Sequence, residues 1–167
     1  LRDHYAPRTR WEIAAPGVTY NDKARGLGIV WQAMRYLVTK KGMMGIPAAP
    51  IRAFIKTREG LDAPDGLLGW LPLLYDTNYK LSKTSGVICY AHAMRPESTG
   101  HVHIVSSDPK QPPKIQYNFL STQLDIDTTI NAVRTVRSIM TAPIMKKLNV
   151  SELKPGATET SDEQLLK

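Results

Sequence analysis

His101 and His103 stand two residues apart, so on a strand both point to one face, a geometry fit for a metal ion. No third or fourth ligand follows at a recognisable spacing, so an exposed polar face is the better account and no metal is expected. Ser98 and Ser107 lack the histidine and acidic context that would make either a nucleophile; turn and hairpin roles suffice for both. Cys89 is the lone cysteine and cannot form an internal disulfide, which makes the reducing cytoplasm the default expectation. Gly26-Leu27-Gly28 lacks the third glycine of a dinucleotide-binding turn and lies inside a helical pattern, not after a strand. None of these groups makes a self-contained catalytic centre.

The net charge of +7 raises the question of a nucleic-acid partner, because clustered Lys and Arg bind phosphates. The basic residues are spread along the chain, however, with Lys40-Lys41 and Lys146-Lys147 the only basic doublets, and no aromatics interleave with them as a base-stacking surface requires. No nucleic-acid binding is expected. A stand-alone basic module for an acidic partner or nucleic acid is the alternative reading, and the charge is its only support. No apolar run approaches the ~18 residues of a membrane span. The opening Leu1-Arg2-Asp3-His4-Tyr5 has neither the basic start nor the apolar stretch of a signal peptide, and reads as part of a longer chain.

With 42% apolar and 22% charged residues, the 167-residue chain has the composition of one folded domain. Residues 1–20 hold Pro7 and Pro16, show no periodicity, and are expected to be an extended lead-in. From the caps Asn21-Asp22, residues Leu27, Val30, Trp31, Met34, Leu37 and Val38 form one face of an amphipathic helix that ends near Gly42. Strands are predicted at Ile51–Thr57, Leu67–Leu74 and Gly86–Met94, the last apolar enough to be covered on both faces and central in its sheet. His101–Ser106 alternates like a half-buried strand, and Lys114–Asn118 forms a short one. A second helix opens between Ser121 and Asp127, has Ile126, Ile130, Val133, Val136 or Arg137, and Met140 on its apolar face, and ends at Pro143. An irregular stretch runs through Pro155-Gly156, and Ser161-Asp162-Glu163-Gln164 has the form of a capping box. Strands grouped together with helices before and after imply an α+β fold, an antiparallel β-sheet with helices packed on one face.

The stretch Arg95-Pro96, Ser98-Thr99-Gly100, Val102, Ile104, Ser107-Asp108-Pro109, Pro113, Ile115 and Asn118-Phe119-Leu120-Ser121 resembles, in order and spacing, the substrate domain of the glucose-methanol-choline (GMC) oxidoreductases, choline dehydrogenase-like enzymes included. Asp127, Val133-Arg134, Arg137, Ile139 and Pro155-Gly156 continue the likeness. Upstream, Leu1-Arg2-Asp3-His4 is similar to the family's Asn-Leu-x-Asp-His, and Pro64-Asp65 with Trp70-Leu71-Pro72 to one of its strands.

The resemblance implies the substrate-binding part of an FAD-dependent alcohol oxidoreductase, in which a primary alcohol gives a hydride to flavin. It assigns residues 1–20 to a lead-in from the flavin-binding domain, 21–160 to the substrate-binding domain, and 161–167 to a helix leading toward the catalytic histidine. The Gly-rich flavin motif and the family's His-Pro motif are both absent from this sequence, so no catalytic residue and no bound cofactor are expected in it. The implied partners are a small alcohol and the flavin-binding domain, and the uncovered chain is expected to expose an apolar sheet face and self-associate. The implied pocket residues are Gly69, Trp70, Tyr90 and His92, with Asp3 and His4 beside the cofactor. Leu67-Leu68-Gly69 stands where relatives often carry Gln and His, which implies a roomier, more apolar pocket. Trp70 and Tyr90 would be parts of an aromatic cage if the alcohol were a quaternary ammonium.

Overall fold

The near-continuous apolar run at Gly86–Ala93 (β4) is what organises the molecule: Val87, Ile88, Cys89 and Ala91 are all buried, which requires a covered strand with neighbours on both edges. The computed structural model describes residues 1–166 and places β4 in the middle of a five-stranded antiparallel sheet. Its partners are Gly66–Leu71 (β3) on one side and Arg8–Ile13 (β1) on the other. Ile51–Ile55 (β2) closes the β3 edge, and Val150–Lys154 (β7) closes the β1 edge.

One helix, Gln123–Met140 (α3), covers one face of this sheet. Ile130, Val133, Val136 and Met140 pack against Trp11, Leu68, Val87, Cys89 and Ala91, which the strand period sends to that side. Val136, not Arg137, takes the core position. Arg137 instead pairs with Glu152 of β7 at 3.0 Å and donates to the carbonyls of Gly156 and Glu159, tying helix to edge strand. The short helix Asp162–Leu165 (α4), capped by Ser161 and Gln164 as its sequence predicts, adds Leu165 to the core.

The start of α3 is locked to the chain before the hairpin. Asp125 is buried, and its carboxylate accepts the backbone N–H groups of Glu97 at 2.9 Å and Ser98 at 2.7 Å. The Ser98 hydroxyl in turn accepts from the Ser121 N–H. Backbone donors that would otherwise be orphaned at a turn and a helix start are thereby satisfied.

Five expectations change. The segment before residue 20 is extended, but it is not a peripheral strap: β1 lies between β4 and β7 in the same sheet. Its alternation Thr9, Trp11, Ile13 against Arg8, Arg10, Glu12 is a strand pattern that the flanking prolines obscured. The single helix expected from Asn21 is two, Tyr20–Lys23 (α1) and Leu27–Thr39 (α2), broken at Gly26, whose φ of 51° no helix tolerates. Asn21 is not the cap; it is buried, and its amide bonds the Leu74 N–H, the Leu74 carbonyl and the Ser82 carbonyl. The irregular stretch before Pro155 is the edge strand β7.

Last, His101–His103 (β5) and Lys114–Gln116 (β6) form a separate two-stranded hairpin whose residues are all exposed, so that strand is not half-buried: it alternates, but no layer lies beneath it. The apolar stripe on α2 has the predicted period and no cover, with Leu27 86% and Val38 78% exposed. Apolar exposure is thus greater on α2 than on the sheet. Among the described residues no helix is long and apolar enough to cross a membrane.

Candidate functional site

The face of the sheet opposite α3 is closed over Ile88 but open around Tyr90 and His92, and the register decides what stands there. Gly69 of β3 lies directly across from Tyr90 of β4, Leu67 across from His92, and Arg8 of β1 across from Tyr90 on its other side. A Cβ on Gly69 would fall inside the Tyr90 ring, so glycine is what allows that ring to lie flat over β3. His92, two residues along the same strand, is stacked with Tyr90 within 5° at a centroid distance of 6.4 Å. His4 arrives from the chain start and packs its ring 4.4 Å from that of His92.

Both imidazoles point Nδ1 at one atom, the Ala93 carbonyl oxygen, at 2.8 Å from His4 and 3.0 Å from His92. A carbonyl only accepts, so Nδ1 of each ring is the donor, and the neutral form of His92 keeps its lone pair on Nε2. Burial pushes the His92 pKa below the ordinary histidine value, and the charges of His4 and Arg52 push it the same way, outweighing the Ala93 bond. His92 therefore stands near neutral pH as an uncharged ring with a free acceptor nitrogen.

His4, Tyr90 and His92 line a cleft of about 490 Å³ together with Arg8, Leu71, Tyr75 and Tyr79. The lining of the cleft is mostly apolar and aromatic, with Arg8, His4 and His92 as its charged or imidazole groups, while Leu68 points into the core. Tyr75 and Tyr79 come from the loop after β3, for which the sequence pattern implies no part in the site. Arg8 was legible only once residues 8–13 were seen to be a strand.

Of the predicted residues, the structure brings Gly69, Tyr90, His92 and His4 together. Asp3 is one step removed: its Oδ1 accepts the His4 backbone N–H at 2.8 Å, and its side chain lines a different crevice with Tyr5 and Phe119. Trp70 is on the opposite side of the sheet. It borders an apolar groove of about 390 Å³ with Ile13, Ala53, Pro72 and Met140, so Trp70 and Tyr90 do not share a cage. Strand parity alone forbids adjacent residues Gly69 and Trp70 from lining one pocket. Cys89 is buried in the core with its thiol pKa pushed up to about 12 by burial, which makes it inert.

Residues 96–167 match the family model described as GMC oxidoreductase. An oxygen-dependent choline dehydrogenase of Citrobacter koseri is 36% identical over 113 residues, which is 67% of this chain and 20% of that protein. The protein of the same name in Photobacterium profundum is 30% identical over 170 residues, 99% of this chain and 29% of its own length. An FAD-dependent oxidoreductase from Chaetomium thermophilum has the same fold, with a TM-score of 0.77 at 18% identity over 99% of this chain and 35% of the other. The chain spans between a fifth and a third of the length of the curated relatives it matches.

Proposed function

The chain belongs to the GMC oxidoreductase family, and from that premise we propose that it is the substrate wall of an FAD-dependent alcohol oxidoreductase, with the alcohol lying on the open face of its sheet. One observation carries this reading: the Gly69–Tyr90–His92–His4 group offers a flat aromatic floor beside the His92 Nε2, which is free to accept a hydrogen bond.

The residues present fit one side of the flavin ring and not a whole dinucleotide. The aromatic floor suits a planar partner, whereas Gly26 sits at the break between α1 and α2 and Gly28 in the first turn of α2, not at a strand-to-helix turn that could cradle a diphosphate. His4, Tyr90 and His92 would border the ring, and the rest of the cofactor belongs to the flavin-binding domain. When bound, FAD supplies the acceptor for the carbinol hydride.

The chain's own groups position the alcohol. His92 Nε2 accepts the hydrogen bond of the substrate hydroxyl, and its Nδ1–H bond to Ala93 fixes the ring. Asp3 holds the backbone of His4, and His4 braces His92. Leu71 gives the cleft an apolar edge that excludes water. Holding the carbinol in reach in this way can contribute several kcal/mol, up to ~7–11 in ideal cases. The family's general base is a histidine in a His-Pro motif outside these residues, so the chain alone is proposed to be inactive.

The test is anaerobic mixing of the intact oxidoreductase with a panel of primary alcohols. At least one bleaches the flavin absorption band within turnover time, and the isolated 167-residue chain shows neither a flavin band nor turnover. A band that no alcohol bleaches contradicts the reading.

A further inference from the structure

We infer that this site selects alcohols that carry an anionic group, with Arg8 as the residue that binds the anion; the inference rests on the alcohol-site reading above. One cross-strand row on the open face reads Arg52, Gly69, Tyr90, Arg8 over four adjacent strands. Strands ~4.8 Å apart put the two arginine backbones ~14 Å from each other, with the aromatic floor between them.

Arg8 is aimed by a neutral partner. Its Nη1 donates to the Tyr75 phenol oxygen, while Arg10 lies 5.3 Å from the centroid of the same ring and donates to the Tyr75 carbonyl. Tyr79 stacks on Tyr75 from a centroid distance of 5.4 Å. Tyr75 is therefore a positioning residue, pinned by two arginines and a second ring, and it leaves the other Arg8 donors at the rim of the cleft.

The acidic groups nearby are engaged elsewhere, Asp3 accepting the His4 backbone N–H and lining a different crevice. Among the described residues Arg8, Arg10 and Arg52 form no ion pair, and none of the residues lining the cleft is acidic. Glu12 shares their side of the sheet but sits opposite Gly86, at the far end of β1. Asp76, next to Tyr75, accepts the N–H groups of Asn78 and Lys80 and so caps its own turn.

A guanidinium with free donors matches a carboxylate in charge and in fork geometry. A quaternary ammonium in the same cleft would meet tyrosine faces, but also unscreened like charges and no carboxylate. Two relatives are named for choline, a cation, and this chain's cleft is built for the opposite sign.

The experiment compares 4-(hydroxymethyl)benzoate, benzyl alcohol and choline as reductants of the intact flavin-loaded enzyme. The ratio of kcat/KM between the acid and benzyl alcohol is expected to be ~30 or more, as one charge-assisted bidentate contact gives. In Arg8→Met that ratio collapses toward one, chiefly through KM; Arg8→Lys retains part of it; and flavin content is unchanged. Choline as the best substrate, an unchanged ratio in Arg8→Met, or loss of flavin from that variant overturns the inference. Calorimetric titration of 4-(hydroxymethyl)benzoate into wild type and Arg8→Met separates the two readings. If no alcohol bleaches the flavin, the function above fails, and Arg8-dependent binding of this probe still decides the role of Arg8.

Discussion

Gly69→Val in the intact enzyme is expected to lower kcat/KM for its alcohol by about 100-fold, the scale at which an ångström of misplacement is felt. The Tyr90 ring occupies the space a side chain at 69 would need. Because Gly69 is buried and Tyr90 only half so, the ring is the part that yields, swinging into the cleft where the substrate lies. Stability should change little by comparison, since valine favours a strand and offsets part of the strain. Steady-state kinetics beside a thermal melt checks this. In a Tyr90→Ala background the same substitution should cost far less, because the displaced ring is gone, and a double-mutant cycle measures that coupling. A Gly69→Val enzyme with wild-type kcat/KM would mean that Tyr90 forms no part of the wall.

The largest effect on stability is expected at Asp125. Asp125→Ala removes the acceptor of two backbone N–H groups and the acidic side chain of the first turn of α3, and should lower the unfolding free energy by about 3–5 kcal/mol. Burial alone would raise the Asp125 pKa. The Ser98 hydroxyl, the Glu97 and Ser98 N–H groups and Thr122 outweigh it and hold the carboxyl below its ordinary value. A folded-state pKa below the unfolded one, about 3.9, gives a contribution that is complete above that pH and is lost as pH falls through the folded value. Wild type should therefore lose this stability in acid, whereas Asp125→Ala, with no carboxylate to titrate, should not lose it there. Urea unfolding of both proteins at neutral pH and near pH 3 measures this, and a difference under about 1 kcal/mol at neutral pH would remove Asp125 from this role.

The parts of the fold that were legible in the sequence are those where one strong local period coincides with the final burial. The run from Gly86 to Ala93 reads as a central strand because it is one, and α3 shows its buried stripe from Ile130 to Met140. What sequence reading lost depends on partners far away in the chain. β1 alternates plainly, yet its prolines hid the pattern, and only β4 and β7 give it a place. The α2 stripe has perfect helical period and no cover, because period reports what a helix could bury, not what lies against it. At the site, Gly69, Tyr90 and His92 follow from strand register, but His4 comes from 88 residues before His92 and meets it through a shared carbonyl that no local pattern encodes. Trp70 was misplaced for a reason that was legible: neighbours on a strand face opposite ways. Arg8 and Tyr75 escaped notice because an arginine in an extended segment and a tyrosine in a loop have no signature until the fold brings them together.

The most direct test is a crystal structure of the intact protein soaked with an unreactive analogue of its alcohol. The flavin ring is expected over the open face of this sheet and the analogue between that ring and Tyr90, its oxygen within hydrogen-bond distance of His92 Nε2. An analogue bound on the α3 side near Trp70, or a flavin ring that never meets the strands carrying Gly69 and Tyr90, would contradict this arrangement.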